Sequence, residues 1–106
     1  MWYNQLMKQK IPTIVISEQE STAELIKLYL QEFEDFSYLA SVSDYAKAYN
    51  GLKELSKGLV IIDISNYPEQ ALNFVSKVTS EFLDCRVIAI SDKPDVDLVI
   101  RAMRVG

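Results

Sequence analysis

The sequence contains no histidine and a single cysteine, Cys85. Without histidine, the Ser-His and Cys-His nucleophile arrangements are excluded, and so are most zinc sites. One cysteine rules out an internal disulfide and any multi-cysteine metal site. Glycine is scarce as well, with only Gly51, Gly58 and Gly106. None stands in a glycine-rich turn, so neither a dinucleotide-binding fingerprint nor a P-loop is present. No apolar run approaches the ~20 residues of a membrane span. Met1 to Lys10 has no apolar signal core, which points to a cytoplasmic protein. Positive charge is in the minority, with a net charge of −4 and a pI of about 4.7. Nucleic-acid binding through a basic face is therefore disfavoured.

What is present suits one soluble domain. The chain has 106 residues, 49% apolar and 25% charged, enough for one core. The stretch from Leu59 to Ile62 is a short, continuous apolar run rich in β-branched side chains. Such a run, apolar on both faces, reads as a strand in the middle of a parallel sheet. Asp63 follows where that strand should stop. Ligands and chemistry sit at the carboxyl ends of strands in open α/β sheets, so Asp63 is the first functional candidate.

Along the chain, Met1 to Lys10 reads as an N-terminal arm, with Trp2, Tyr3, Leu6 and Met7 among polar residues. Pro12 leads into a first strand, Thr13 to Ile16. A helix is expected from about Ser21 to Glu32, with Ala23, Ile26, Leu30 and Phe33 inward and Leu25 and Tyr29 widening the stripe. Phe36 to Val42 reads as a second strand. Ser43 is a natural N-cap for a helix from Asp44 to about Ser56, and Gly58 a natural C-terminal glycine. Its apolar face is Tyr45, Ala48, Tyr49, Leu52 and Leu55. After the central strand, Pro68 suits the first turn of a third helix to about Phe82, with Ala71, Phe74, Val75, Val78 and Phe82 inward. Arg86 to Ile90 is a fourth strand. Pro94 opens a fourth helix, with Val96, Val99, Ile100 and Met103 inward. Regular alternation of strands and helices over short connections implies a parallel sheet covered on both faces.

Three strand ends carry polar groups: Ser17 and Glu18, Asp63, and Ser91 with Asp92. In a doubly wound sheet these ends can converge on one rim. Carboxylates converging without histidine or cysteine suit a hard cation held by oxygens, with magnesium the usual case. A nearby serine hydroxyl could meet an oxyanion. The plainer reading is that all three are solvated loop ends.

The segments Ile14-Val15-Ile16-Ser17-Glu18, Leu59-Val60-Ile61-Ile62-Asp63 and Arg86-Val87-Ile88-Ala89-Ile90-Ser91 resemble the first, third and fourth strands of a CheY-like receiver domain. The resemblance runs from about Ile11 to Gly106. It implies an α/β, flavodoxin-like, doubly wound parallel sheet, ordered 2-1-3-4 here, with the fifth strand and last helix missing from this chain. By the same resemblance Asp63 matches the phosphoacceptor and Glu18 one member of the magnesium-binding acidic pair. Ser17 stands where the other acid is expected. Ser65 would lend its backbone carbonyl to the metal, and Ser91 its hydroxyl to a phosphoryl oxygen. The stretch Ser91 to Gly106 resembles the atypical receivers at the N-terminus of CpaE/TadZ-type pilus-assembly proteins. That narrower likeness implies a ParA/MinD-like ATPase domain downstream and recruitment to the cell pole or to partners; homodimerisation is expected from the open fourth-strand edge.

Several residues depart from the receiver pattern. Ser17 removes one carboxylate from the metal pair, and Glu18 lengthens the other. Tyr67 and Pro68 replace the usual proline-glycine turn. Asp92 stands where a small residue admits the phosphodonor; a like charge about 4 Å from a phosphoryl group costs on the order of 4 kcal/mol at a surface-like dielectric. The switch aromatic and the phosphoryl-pairing lysine are absent. Three readings compete: a non-enzymatic receiver-like interaction module, a working phospho-receiver with Asp63 as phosphoacceptor, and a small flavodoxin-like enzyme or FMN binder. An open fourth-strand edge should also expose Val87 and Ala89, and such edges are templates for association.

Overall fold

The computed structural model describes residues 10–55, 57–92 and 96–105. Eight elements alternate: β1 (Ile11–Ile16), α1 (Glu20–Gln31), β2 (Phe36–Val42), α2 (Tyr45–Glu54), β3 (Gly58–Asp63), α3 (Pro68–Glu81), β4 (Cys85–Ile90) and α4 (Val96–Val105). The four strands form one parallel sheet in the order β2-β1-β3-β4. This is the doubly wound architecture expected from the alternation. Leu59, Val60, Ile61 and Ile62 are all buried, with β1 on one side and β4 on the other. Their side chains alternate between two cores because successive residues of a strand face opposite ways.

On one face, Ile14, Ile16, Val60 and Ile62 pack with Ala48 and Leu52 of α2 and with Ala71, Leu72, Phe74, Val75 and Val78 of α3. On the other, Val15, Leu59 and Ile61 pack with Ala23 and Leu30 of α1. Pro68 occupies the first turn of α3, where a missing N–H costs nothing. Pro12 lies inside β1, an interior strand. It is tolerated because the ladder to β3 begins one residue later, at Thr13. The β1–β2 register shifts between Thr13 and Ile14, which leaves Leu39 bulged and half-exposed.

Several local expectations are corrected. Asp44, not Ser43, caps α2; its carboxylate accepts from the amides of Ala46 at 2.7 Å and Lys47 at 3.4 Å. An ionised acceptor makes the stronger bond to the helix's free amides. Gly58 does not end the helix. It opens β3, and a Cβ there would lie 2.9 Å from the carbonyl oxygen of Pro12. Close strand packing, not a left-handed turn, requires that glycine.

Leu25 and Tyr29 do not widen the inner stripe of α1, and Phe33 does not belong to it; all three are exposed. Ile100 and Met103 of α4 are likewise exposed rather than inward. On β4 it is Ile88 and Ala89 that are exposed, while Val87 is half-buried against the α2–α3 core. Trp2, Tyr3, Leu6, Met7, Ser56, Pro94 and the side chains of Val96 and Val99 lie outside the described residues.

Candidate functional site

Parallel strands end on one side of a sheet, and here β1, β2 and β3 deliver their C-termini to a single shallow cleft. It is lined by Ile16, Ser17, Glu18, Ser43, Tyr45, Asp63, Asn66 and Tyr67, and encloses about 290 Å³ of atom-free space that runs into open solvent. Asp63 is half-buried at the end of β3. Glu18, after β1, is exposed. Of the three strand ends expected to converge, those carrying Ser17 with Glu18 and Asp63 line this one cleft.

Asp63 has a hydrogen-bond donor on each oxygen. Oδ1 accepts from the backbone amide of Ser65 at 3.0 Å, which folds the start of the β3–α3 loop back onto the strand. Oδ2 lies 3.2 Å from the Ser17 hydroxyl. The same hydroxyl is 3.3 Å from the Gln19 carbonyl and accepts from the Gln19 amide at 3.2 Å. It has one proton to donate, and an ionised carboxylate is the stronger acceptor. Ser17 is buried and its amide donates to the Val42 carbonyl at 3.1 Å. Its position is thus held by the sheet itself.

Ser65 and Ser91 stand on the loops after β3 and β4, beside Asp63. Ser65 is buried, and its hydroxyl accepts from the Asp92 amide at 3.0 Å. With the Ile64 amide donating to the Ile90 carbonyl at 2.9 Å, this ties the loops after β3 and β4 together. Ser91 is exposed and directly follows Ile90, the residue paired with Asp63 in the β3–β4 ladder. Asp92 is exposed as well, so solvent screens the repulsion expected of its charge.

Tyr45 was read in the sequence only as part of an apolar stripe, yet it lines the cleft. Its ring stacks on Phe74 with centroids 5.0 Å apart. Burial pushes its phenol above the usual tyrosine range, and the charges of Glu18 and then Asp63 push it the same way. Ser43 and Asn66 also line the cleft. The available signal was positional: Ser43 directly follows β2, Tyr45 is three residues past β2, and Asn66 is three residues past β3.

No group of three or more histidine, cysteine, aspartate or glutamate side chains that could hold a metal occurs among the described residues. A resident magnesium site does not fit this donor set. Where the resemblance would require a second acid, a hydroxyl donates into Asp63 instead. Among the described residues no helix is long and apolar enough to cross a membrane.

A response regulator from Thermotoga maritima superposes with a TM-score of 0.82 at 24% identity, over 92% of this chain and 80% of its own. This chain has the receiver fold. A pilus assembly-related protein of Burkholderia pseudomallei shares that fold at a TM-score of 0.79 and 16% identity, over 93% of this chain and 75% of that one. In sequence, the chain is 18% identical over 96 residues to "Probable C4-dicarboxylate response regulator DctR" of Halalkalibacterium halodurans. The match covers 91% of this chain but only 42% of that relative. No protein-family model matches the sequence. The order β2-β1-β3-β4 and the position of Asp63 at the end of β3 are what the receiver resemblance implied.

Proposed function

We propose that this chain is a receiver-fold protein-interaction and localisation module of a signalling or pilus-assembly protein, and that Asp63 is not its phosphoacceptor. The observation that carries the reading is the Ser17–Asp63 hydrogen bond. In a receiver that transfers phosphate, cations neutralise charge as the carboxylate attacks phosphorus. Here the carboxylate is held by two neutral donors, and the second metal-binding acid is replaced by one of them. The module is non-enzymatic. Its relatedness in fold to response regulators supports the signalling half of the reading. Likeness to a pilus assembly-related protein supports the other half. Under the CpaE/TadZ reading its partner is a ParA/MinD-like ATPase domain in the same longer protein, and its place is the cell pole; a second copy of the chain is the partner expected at the β4 edge of the sheet.

One observation favours a second reading, that of a working phospho-receiver. Asp63 is partly open to solvent in the same cleft as Glu18, as a phosphoacceptor and a metal ligand would be. Ser91, which follows the residue paired with Asp63, would then meet the phosphoryl oxygen. Incubation with acetyl phosphate and magnesium, followed by intact-mass measurement, separates the two. No mass gain is expected from the wild-type chain. A phosphoryl adduct that disappears in Asp63→Asn would overturn the first reading and establish the second. Ser17→Asp serves as the positive arm: by supplying the missing acid it should introduce magnesium binding that the wild-type chain lacks.

A further inference from the structure

A row of side chains crosses the α1 side of the sheet. Val15 of β1 pairs with Ile61 of β3, and Ile61 with Ile88 of β4. Laterally paired residues of a parallel sheet face the same way. Exposure along the row rises from 0% at Val15 to 8% at Ile61 and 49% at Ile88. The next row repeats this: Thr13 and Leu59 are buried and Arg86 is exposed. Ile90 is half-buried and touches the α1 core. Helix α1 lies over β1 and β2, so its cover ends before β4. The other side of β4 differs, because α3 packs there and Val87 is half-buried against the α2–α3 core. Ile88 is therefore no isolated surface residue. It continues a core row past the helix that covers it.

We infer that residues 1–9 of the same chain occupy this face, with Trp2 and Leu6 packed on Ile88. The segment has the composition for it. Trp2 and Leu6 are four residues apart, as are Tyr3 and Met7, and Tyr3 and Leu6 are three apart. That spacing sets all four on one side of a helical turn, with Asn4, Gln5, Lys8 and Gln9 left for solvent. Nine residues are too few to hold a helix in water unaided, so such a stripe needs a surface that receives it. The attachment also suits. The segment leads into β1, which begins at Ile11, and β4 lies two strands away, about 10 Å at the usual strand spacing. Lys8 to Lys10, extended, reach about 10 Å, enough to raise the preceding residues to packing height over the sheet. The arm brings two aromatic rings to exposed Arg86, and a guanidinium stacks on such rings. A second copy meeting this face through its own would instead set Arg86 close to its counterpart. The β4 edge is a separate surface, made of backbone groups, and stays open. Covering Ile88 thus leaves the edge as the one part of β4 offered to another chain. The inference concerns packing within one chain and does not rest on the interaction-module reading.

Trp2 is the chain's single tryptophan, so intrinsic fluorescence of the full chain reports the arm alone. In buffer its emission should lie to the blue of its position in concentrated urea, independent of protein concentration. Ile88→Ser should move the emission to the red while the far-ultraviolet spectrum is kept, since Ile88 is already half-exposed. Leu28→Ser, on the outer side of α1, should leave it unmoved. Leu6→Ser gives the reciprocal reading from the arm, where no strand can be disturbed. It should redden Trp2 and shift the backbone amides of residues 86–90 in NMR spectra, with those of residues 25–29 in place. Emission at the urea position in the native chain would overturn the inference. So would an emission that Ile88→Ser leaves unchanged, one that Leu28→Ser moves instead, or amide shifts centred away from β4. A blue emission that fades on dilution, together with a dimer in light scattering, would also overturn it, because the arm would then lie on a second copy.

Discussion

One face of the sheet packs Ile14, Ile16, Val60 and Ile62 under two helices, α2 and α3, and buries nearly every apolar residue those helices turn inward. The opposite face, among the described residues, packs Val15, Leu59 and Ile61 under α1 alone. Helix α3 has one apolar stripe with five buried members. Helix α1 has two buried members, Ala23 and Leu30, and three large apolar side chains, Leu25, Leu28 and Tyr29, exposed. The α3 pattern is what folding requires of a helix on a sheet. The outer stripe of α1 contributes nothing to that core. Apolar side chains held in water by a folded helix mark a surface with another use.

This asymmetry makes quantitative demands. The largest effect belongs to the double-helix face. Phe74 is buried and stacked on Tyr45, so Phe74→Ala should cost about 3–5 kcal/mol in urea unfolding. That is a large share of the ~5–15 kcal/mol available to a domain of this kind. Leu30→Ala, on the α1 face, should cost less, about 2–3 kcal/mol, because fewer neighbours are fixed around the cavity it leaves and the site can collapse. Equal losses at the two positions would show that the faces are equally well packed and would remove the basis of the comparison.

A third expectation tests a local determinant of the well-covered face. Asp44 holds the first turn of α2 through two backbone amides. Asp44→Ala should lower stability by about 1 kcal/mol, and Asp44→Ser by less, because serine still caps. A loss below the error of a denaturant melt would mean that packing of Ala48 and Leu52 alone fixes the helix start.

Much of the fold was legible in the sequence because each signal was local. The apolar run Leu59–Ile62, the inner stripe of α3 and Pro68 at its first turn each declare one element. Burial of α1 was less legible. Leu25 and Tyr29 fall within the range of a wide stripe, and only the placement of one helix over β1 and β2 turns them outward. Gly58 followed the same logic. Its sequence context suits a helix end, while the reason for it, the carbonyl of Pro12, lies on another strand. At the rim, Ser17, Glu18 and Asp63 were found from strand ends. Tyr45 and Asn66 were not, because an aromatic at helical spacing resembles core until it is seen lining the cleft with Glu18 and Asp63. The Ser17–Asp63 bond joins residues 46 positions apart, a distance over which no pattern in one sequence speaks.

The smallest expected effect is the one that carries most weight for function. If the outer stripe of α1 were part of the core, Leu28→Ala would behave like Leu30→Ala two residues away. It is instead 52% exposed, and truncating an exposed side chain away from special features changes stability by no more than about 0.5 kcal/mol. Alanine is also the better helix former, which offsets part of whatever contact is lost. Leu28→Ala should therefore leave the urea midpoint nearly unmoved, and Leu25→Ala should do the same. A loss above about 1 kcal/mol at Leu28 would mean that something covers this face in the isolated chain, and would make α1 a buried helix like α3. A near-zero change, alongside a loss of 2–3 kcal/mol at Leu30, would establish that two apolar stripes of one helix do different work: one holds the sheet, and the other is left for a partner.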